Sequence, residues 1–175
     1  MEYTRPSKDQ YYMNLAKTVS ERATCMRVKM GAVIIVNDQL VSSGYNGAPR
    51  KTKSSIDHGF CLRKQMDIPH GQRYEICRSV HAEQNAIINA ARAGASLLGG
   101  DIYIYGQRWE DENNQILDAF PCFICKKMLI NCDLKRVICS TKDGGMMIFN
   151  VEDWITEWQE HDILDDKYQY GQTIK

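Results

Sequence analysis

The sequence contains no long apolar segment and no excess of charge of either sign. Its longest apolar runs, such as residues 32–36, are far too short to span a membrane. Lysine plus arginine equals aspartate plus glutamate, at 22 each, so the composition does not indicate a protein held to nucleic acid mainly by its phosphates. The N-terminus carries Glu2, Arg5 and Lys8 without an apolar stretch, unlike a signal peptide. We therefore expect neither a membrane nor a stable nucleic acid as a partner.

A disulfide framework is also not expected. The chain has 7 cysteines, an odd number, and no secretion signal. These two observations indicate a reducing compartment, so we expect a cytoplasmic protein. In such a compartment, this number of cysteines indicates metal binding or thiol chemistry. The 175 residues, 43% hydrophobic and 25% charged, favour a single domain over residues 1–175 with a substantial core.

Two hydrophobic periodicities alternate along the chain. Short β-branched or alternating runs predict five strands, at residues 31–36, 39–45, 101–105, 136–140 and 146–150. Apolar steps of three and four predict helices over residues 7–22, 81–93 and 151–161, and one that has Pro121 in its first turn. Residues 50–78 and 106–119 are polar and predict loops, and Lys126 and Lys127 are expected to face solvent. The alternation indicates an α/β fold, with three α/β/α layers around a mixed sheet of about five strands.

Two short motifs supply the groups of a catalytic zinc site. They are His81-Ala82-Glu83 and Pro121-Cys122-Phe123-Ile124-Cys125. One imidazole and two thiolates leave the fourth zinc position to water, whereas structural sites usually have four protein ligands. We therefore predict zinc bound by His81, Cys122 and Cys125. The pattern H-x-E…P-C-x-x-C is the signature of zinc deaminases. In that chemistry Glu83 would carry protons between the zinc-activated water and the substrate ring.

A second group of possible ligands lies in the polar segment before the first motif. Cys25, Cys61 and Cys77, together with His70 or His58, could make a closed four-ligand zinc site. Their spacing is not that of the strong zinc-finger patterns, so free, partly buried cysteines are the alternative.

These motifs resemble the cytidine/deoxycytidylate deaminase superfamily, and within it the deoxycytidylate deaminases. The resemblance rests on residues 25–33, 44–47, 77–86 and 121–125. It implies a cytidine-deaminase-like fold and hydrolysis of dCMP to dUMP and ammonia by attack at C4, which feeds thymidylate synthesis. It also implies that Asn46 hydrogen-bonds the sugar or base, and that Arg27 and the loop around Gly47 meet the 5′-phosphate. We expect Ala82 among the substrate contacts as well.

The resemblance also bears on assembly and regulation. Some members are hexamers that dCTP activates and dTTP inhibits, which implies a homo-oligomer with these nucleotides as effectors. The sequence departs from the family pattern in three places, the first of which affects packing more than chemistry and the others the substrate contacts. Phe123 stands where many members have a second proline, residues 106–119 form a longer insertion, and residues 140–142 lack the tyrosine that some members carry there.

Two alternatives remain open from the sequence. The same chemistry could act on cytidine, guanine, a pterin- or riboflavin-pathway intermediate, or adenosine in tRNA, although the neutral charge balance disfavours a tRNA enzyme. A non-catalytic zinc-binding module would need a filled fourth position and would have no use for Glu83.

Overall fold

A mixed five-stranded sheet with helices on both faces forms the core of the protein. The computed structural model describes residues 4–69, 72–109 and 114–161. Its elements, in chain order, are α1 (Lys8–Ser20), β1 (Val28–Val36), β2 (Gln39–Tyr45), α2 (Ser55–His58), α3 (Leu62–Gln65), a 3₁₀ turn (Tyr74–Ile76), α4 (Ala82–Ala93), β3 (Asp101–Arg108), α5 (Phe123–Asn131), β4 (Arg136–Ser140), β5 (Met146–Asn150) and α6 (Val151–Glu160). Among the described helices, none combines the length and the apolar character needed to cross a bilayer.

The strand order is β2-β1-β3-β4-β5, with one parallel pair, β3 with β4, and three antiparallel pairs. This confirms the predicted mixed sheet, and the predicted bounds of β2, β4 and β5 agree with the structure. The outer ends of β1 and β3 were missed: β1 starts at Val28 and β3 continues to Arg108. Val28 pairs with Arg108 and Lys29 with Gln107, so backbone pairing extends both strands through residues whose polar side chains hide the strand pattern.

Two hydrophobic layers confirm the three-layer arrangement. On one face of the sheet, α1 packs Tyr12, Met13 and Ala16 against side chains of β1, β3 and β4. On the other face, the alanines of α4 pack beside α5 and α6 over the same three strands. Alternate residues of each strand point to opposite faces, so neighbouring residues of β1 enter different cores, as Val33 and Ile34 do.

Two glycines let helices touch the sheet backbone. A Cβ on Gly31 would lie 2.2 Å from the carbonyl oxygen of Ala16 in α1, and one on Gly44 would lie 2.3 Å from the nitrogen of Ala86 in α4. The Ser42 hydroxyl adds a 2.6 Å hydrogen bond to the Ala86 carbonyl. Helix α4 is therefore fixed directly on β2, and it carries the first motif.

Both predicted loops are more ordered than expected. Residues 50–78 contain α2, α3 and the 3₁₀ turn, because capping groups such as Ser54 and Asp57 close short turns that have no hydrophobic periodicity. Residues 106–119 begin as the end of β3 and then fold back against it, with Ile116 bridging Gln107 and Leu117 donating to Gly106. Residues 110–113 lie outside the described residues. The prediction of a solvated loop is wrong at its end, where Ala119 is fully buried.

The prediction that Lys126 faces solvent is also wrong. Its side chain is 1% exposed, and its ammonium lies 4.8 Å from the ring centre of Trp154 on α6. The cation–π contact and the aliphatic stem allow a lysine to occupy the space between two helices. Lys127 is exposed, as predicted.

Candidate metal centre and its cavity

The first motif begins helix α4. His81 is the N-cap residue, and its backbone N–H donates to the Gln84 side chain at 3.0 Å. Glu83 lies in the first turn and is only 4% exposed, although a carboxylate in a first turn usually faces water. Gly94 ends the helix in the left-handed conformation, as its position after Ala93 predicts.

The second motif begins helix α5 two residues later than predicted. Cys122 is the N-cap and Phe123 the first helical residue, so Pro121 precedes the helix and is not in its first turn. The cause is the extended backbone of Cys122, whose carbonyl accepts the first helical hydrogen bond, from Lys126 at 2.8 Å. The Ala119 N–H donates to the Ser140 carbonyl at the carboxyl end of β4. Open α/β sheets place their sites at this end.

The two helix starts bring the three predicted ligands together. The Sγ atoms of Cys122 and Cys125 lie 3.5 Å and 3.4 Å from Nδ1 of His81, and the three donor atoms are all within 4.8 Å of one another. A tetrahedral zinc with bonds of ~2.3 Å to sulfur and ~2.0 Å to nitrogen sets those atoms about 3.5 Å apart. The spacing and the N/S donor set therefore fit zinc.

The electrostatics of the cluster favour a bound cation. A hydrogen bond from Cys125 and the neighbouring His81 lower the pKa of Cys122 to about 4, although burial opposes this. Cys122 therefore loses its proton more readily than an ordinary cysteine, whereas the hydrogen bond that Cys125 makes to Cys122, together with burial, raises the pKa of Cys125. Burial also raises the pKa of Glu83, against the influence of His81. A metal ion would displace the proton that the two cysteines share.

One cavity joins two of the three metal ligands to most of the predicted substrate-binding residues. Arg27, Asn46 and Ala82 line it together with His81, Glu83 and Cys122. The Asn46 amide is already bonded to β1: its oxygen accepts from the Met30 N–H at 2.8 Å and its nitrogen donates to the Val28 carbonyl at 3.0 Å. Asn46 is thus held rigidly, and its amide keeps one N–H and one lone pair with which to bind a ligand.

Gly47, the remaining predicted substrate contact, does not line the cavity. Its N–H donates to the Val80 carbonyl at 3.1 Å, and its carbonyl accepts from the Val80 N–H at 2.8 Å. A Cβ at this position would lie 2.8 Å from Oγ1 of Thr24. The glycine therefore ties the loop that carries Asn46 to the residue before His81.

The second group of possible ligands is only partly assembled. Cys25, Cys61 and Cys77 all line the same cavity, and Sγ of Cys25 accepts from the Arg27 N–H at 3.5 Å. His58 is exposed and packs against Phe60, and His70 lies outside the described residues. Within residues 4–69, 72–109 and 114–161, only the three ligands at the helix starts bring three donor atoms within 4.8 Å of one another. The second zinc site stays a prediction.

The sequence did not indicate two residues that stand beside the metal ligands. The Tyr74 ring meets the His81 ring edge-on at 4.8 Å, and the Arg63 guanidinium lies 4.7 Å from the centre of the Tyr74 ring. Both residues line the cavity. They come from the segment predicted to be a loop, where no periodicity or motif shows which side chains turn inward.

In this α/β/α domain, two helix starts present one histidine, two cysteines and a buried glutamate. A site with three protein ligands is of the catalytic zinc type. The pattern of the family described as "Cytidine and deoxycytidylate deaminase zinc-binding region" matches residues 6–141. The chain belongs to this family, and zinc is the metal of its site.

Among the similar proteins are several deoxycytidylate deaminases. That of Schizosaccharomyces pombe is 30% identical over 137 residues, which cover 78% of this chain and 38% of the relative. That of Mycobacterium phage D29 is 27% identical, with 77% of this chain and 95% of the relative covered. The chain thus spans about two fifths of the yeast relative. The dCMP deaminase of the cyanophage S-TIM5, solved with dCMP and dUMP, shares the fold at a TM-score of 0.59 and 22% identity, over 90% of this chain and 94% of that one.

Proposed function

We propose that this protein deaminates dCMP hydrolytically to dUMP and ammonia. The observation that carries the proposal is that a buried carboxyl, Glu83, lines one cavity together with two of the three zinc ligands, His81 and Cys122. The relatives that are named deoxycytidylate deaminases supply the choice of substrate. His81, Cys122 and Cys125 would hold the zinc, which when bound supplies Lewis-acid activation of water at neutral pH.

Glu83 is the group that moves protons. Burial raises the pKa of its carboxyl. The buried carboxyl therefore holds a proton more readily near neutral pH than an exposed glutamate does. It would accept a proton from water, deliver it to the ring nitrogen and then assist the departure of ammonia. Asn46 would orient the sugar or base with the amide N–H and lone pair that its bonds to β1 leave over. Arg27 is proposed for the 5′-phosphate.

The test is ammonia release from zinc-loaded protein supplied with dCMP, deoxycytidine, CMP or cytidine. We expect dCMP to be the best substrate. Glu83→Gln should lower kcat by about 10²–10⁴-fold and retain zinc, because the carboxyl is not needed as a ligand. Glu21→Gln, at an exposed position after α1, is the matched control. If zinc-loaded protein released no ammonia from any of the four substrates, the proposal would be refuted, and other aminated rings would be tested next.

A non-catalytic zinc module is the competing function, and the burial of Glu83 argues against it. A carboxyl held away from water has an energetic cost that a purely structural metal site would not require. If Glu83→Gln left every activity and the zinc content unchanged while raising stability, this second candidate would be favoured.

We also propose the remaining properties that the resemblance implies. These are a homo-oligomer of hexamer size, dCTP and dTTP as effectors, a role in pyrimidine nucleotide synthesis and a cytoplasmic location. The last is supported by seven cysteines that are all unpaired. Light scattering with and without each nucleotide tests assembly and binding.

Zinc content per chain tests the second zinc. One zinc per chain, unaffected by Cys61→Ser, would mean that only the ligands of the first site bind metal.

A further inference from the structure

Arg63 is a buried cation whose hydrogen-bonding capacity is not fully used. It lies on α3, is 5% exposed and lines the cavity of the metal centre. Its Nη2 donates to the Pro69 carbonyl at 2.8 Å, and its guanidinium lies over the Tyr74 ring. Its Nε–H is buried and has no hydrogen-bond partner. Among the ion pairs of the described residues, none involves Arg63.

Such a side chain is costly unless an anion joins it. Burying a charge is unfavourable unless it is paired and hydrogen-bonded, and a buried unpaired donor adds a further penalty. The contact with Tyr74, one carbonyl and the electrostatic influence of the exposed Glu75 carboxylate compensate only part of this cost. The rest can be recovered by a ligand in the cavity that is negatively charged and carries several acceptor oxygens.

We propose that Arg63 is a specificity-determining residue that binds the 5′-phosphate of the substrate and so selects nucleotides over nucleosides. The inference rests on the proposed function, since it names a group of that substrate. Arginine suits the role because its planar fork can offer two parallel N–H donors to phosphate oxygens. Tyr74 contacts both the Arg63 guanidinium and the ring of the metal ligand His81. The guanidinium is therefore separated from the metal centre by an aromatic ring, as the phosphate of the substrate is separated from its base by the sugar.

This assignment makes Arg63 the main phosphate ligand, with Arg27 as an additional contact on the same cavity. Arg63 is held in place by three features: burial, the Pro69 carbonyl and the Tyr74 ring. A guanidinium fixed before binding loses little conformational entropy when the anion arrives. It should therefore dominate discrimination between dCMP and deoxycytidine.

The experiment compares kcat/KM for dCMP and for deoxycytidine in the wild type, Arg63→Gln, Arg63→Lys and Arg50→Gln. The last is the matched control, because Arg50 is exposed and bonds to Asn89 outside this cavity. Arg63→Gln should lower kcat/KM for dCMP about 30-fold or more, mainly through KM, and leave deoxycytidine unchanged. Arg63→Lys should recover part of the loss, since lysine keeps the charge without the fork.

Equal losses on both substrates with zinc retained would overturn the proposal, because Arg63 would then act only by packing Tyr74 against His81. Unchanged discrimination in both variants would overturn it as well. If Arg63→Gln does not fold, the ratio of kcat/KM for dCMP to kcat/KM for deoxycytidine in Arg63→Lys tests the proposal: a lower ratio than in the wild type supports it, and an equal ratio overturns it.

A wild type that deaminates no cytosine nucleotide refutes the proposed function separately. In that case inorganic phosphate provides the probe. It should raise the Tm of the wild type more than that of Arg63→Lys, and equal shifts would overturn the assignment.

Discussion

Replacing Gly44 by alanine should disturb the metal centre from the opposite side of helix α4. The new Cβ would lie 2.3 Å from the nitrogen of Ala86 and 2.4 Å from the carbonyl oxygen of Ala82. Both are backbone atoms of α4, so no side-chain rotation can relieve the contact. Ordinary contacts begin at 3.4 Å, so the helix and strand β2 must separate by about 1 Å.

The size of the effect follows from that displacement. Overpacking at a tight contact destabilises a protein by about 1–3 kcal/mol, and for a chain of this length each kcal/mol lowers Tm by about 2–4 °C. Ala82 lies between His81 and Glu83, so the displaced turn carries both the metal ligand and the proton carrier. A misplacement of about 1 Å can reduce turnover about 10²-fold. We therefore expect losses of stability, zinc affinity and activity together.

Gly31→Ala provides the matched comparison. Its Cβ would meet the Ala16 carbonyl of α1 at 2.2 Å, an equally severe contact on the face of the sheet opposite the metal centre. Thermal unfolding, zinc competition with a chelator and dCMP turnover are measured for both variants. Both should lose stability, but only Gly44→Ala should lose zinc affinity and activity in the folded state. If the two variants lost zinc affinity equally, or if Gly44→Ala kept full activity, the inferred coupling between β2 and the site would be wrong.

Three further results are expected. Removing the zinc with a chelator should abolish turnover, lower Tm and expose additional reactive thiols, all reversed by adding zinc; unchanged Tm would contradict the fit of the donor set. Asn46→Ala should cost about 2 kcal/mol in urea unfolding, because it leaves the Met30 N–H and the Val28 carbonyl unpaired, and Asn46→Asp should recover only the first bond. A hydrogen bond to Asp38 is the largest of the causes that raise the pKa of Tyr12 to about 12. The folded state therefore keeps this proton longer than the unfolded chain, so this part of the stability is present below pH 10 and lost between pH 10 and about 12. The Tm difference between wild type and Tyr12→Phe should shrink in that range, and a constant difference would argue against the shift.

The sequence was sufficient to predict the sheet and the metal ligands because both depend on local patterns. Runs of β-branched residues predict β1 and β4, which are buried on both faces. Each of the two motifs begins a helix, and the two helix starts bring the three metal ligands together. The limits of the prediction lie where long-range contacts decide. Lys126 is buried because Trp154 covers it, and Arg108 extends β3 because Val28 pairs with it. Neither partner is close in the chain.

The substrate side of the cavity shows the same limit more clearly. The resemblance implies that the loop around Gly47 meets the phosphate, and only the structure shows that Gly47 itself is bonded to Val80 and lies against Thr24. Arg63 stands in a polar stretch, and nothing in that stretch distinguishes it from the exposed Lys64 beside it. Only the fold shows which of the two cations is turned inward.

The hydrogen-bonded bridge between Gly47 and Val80 connects the two halves of the site. On one side of it Asn46 is bonded to β1, and on the other side His81 begins α4. The residue that is proposed to orient the substrate and the first metal ligand are therefore each one residue away from the same pair of hydrogen bonds. Backbone bridges of this kind transmit small displacements, because close-packed interiors leave little free volume to absorb them. Geometry at the metal and geometry at the substrate should consequently change together whenever this bridge is strained.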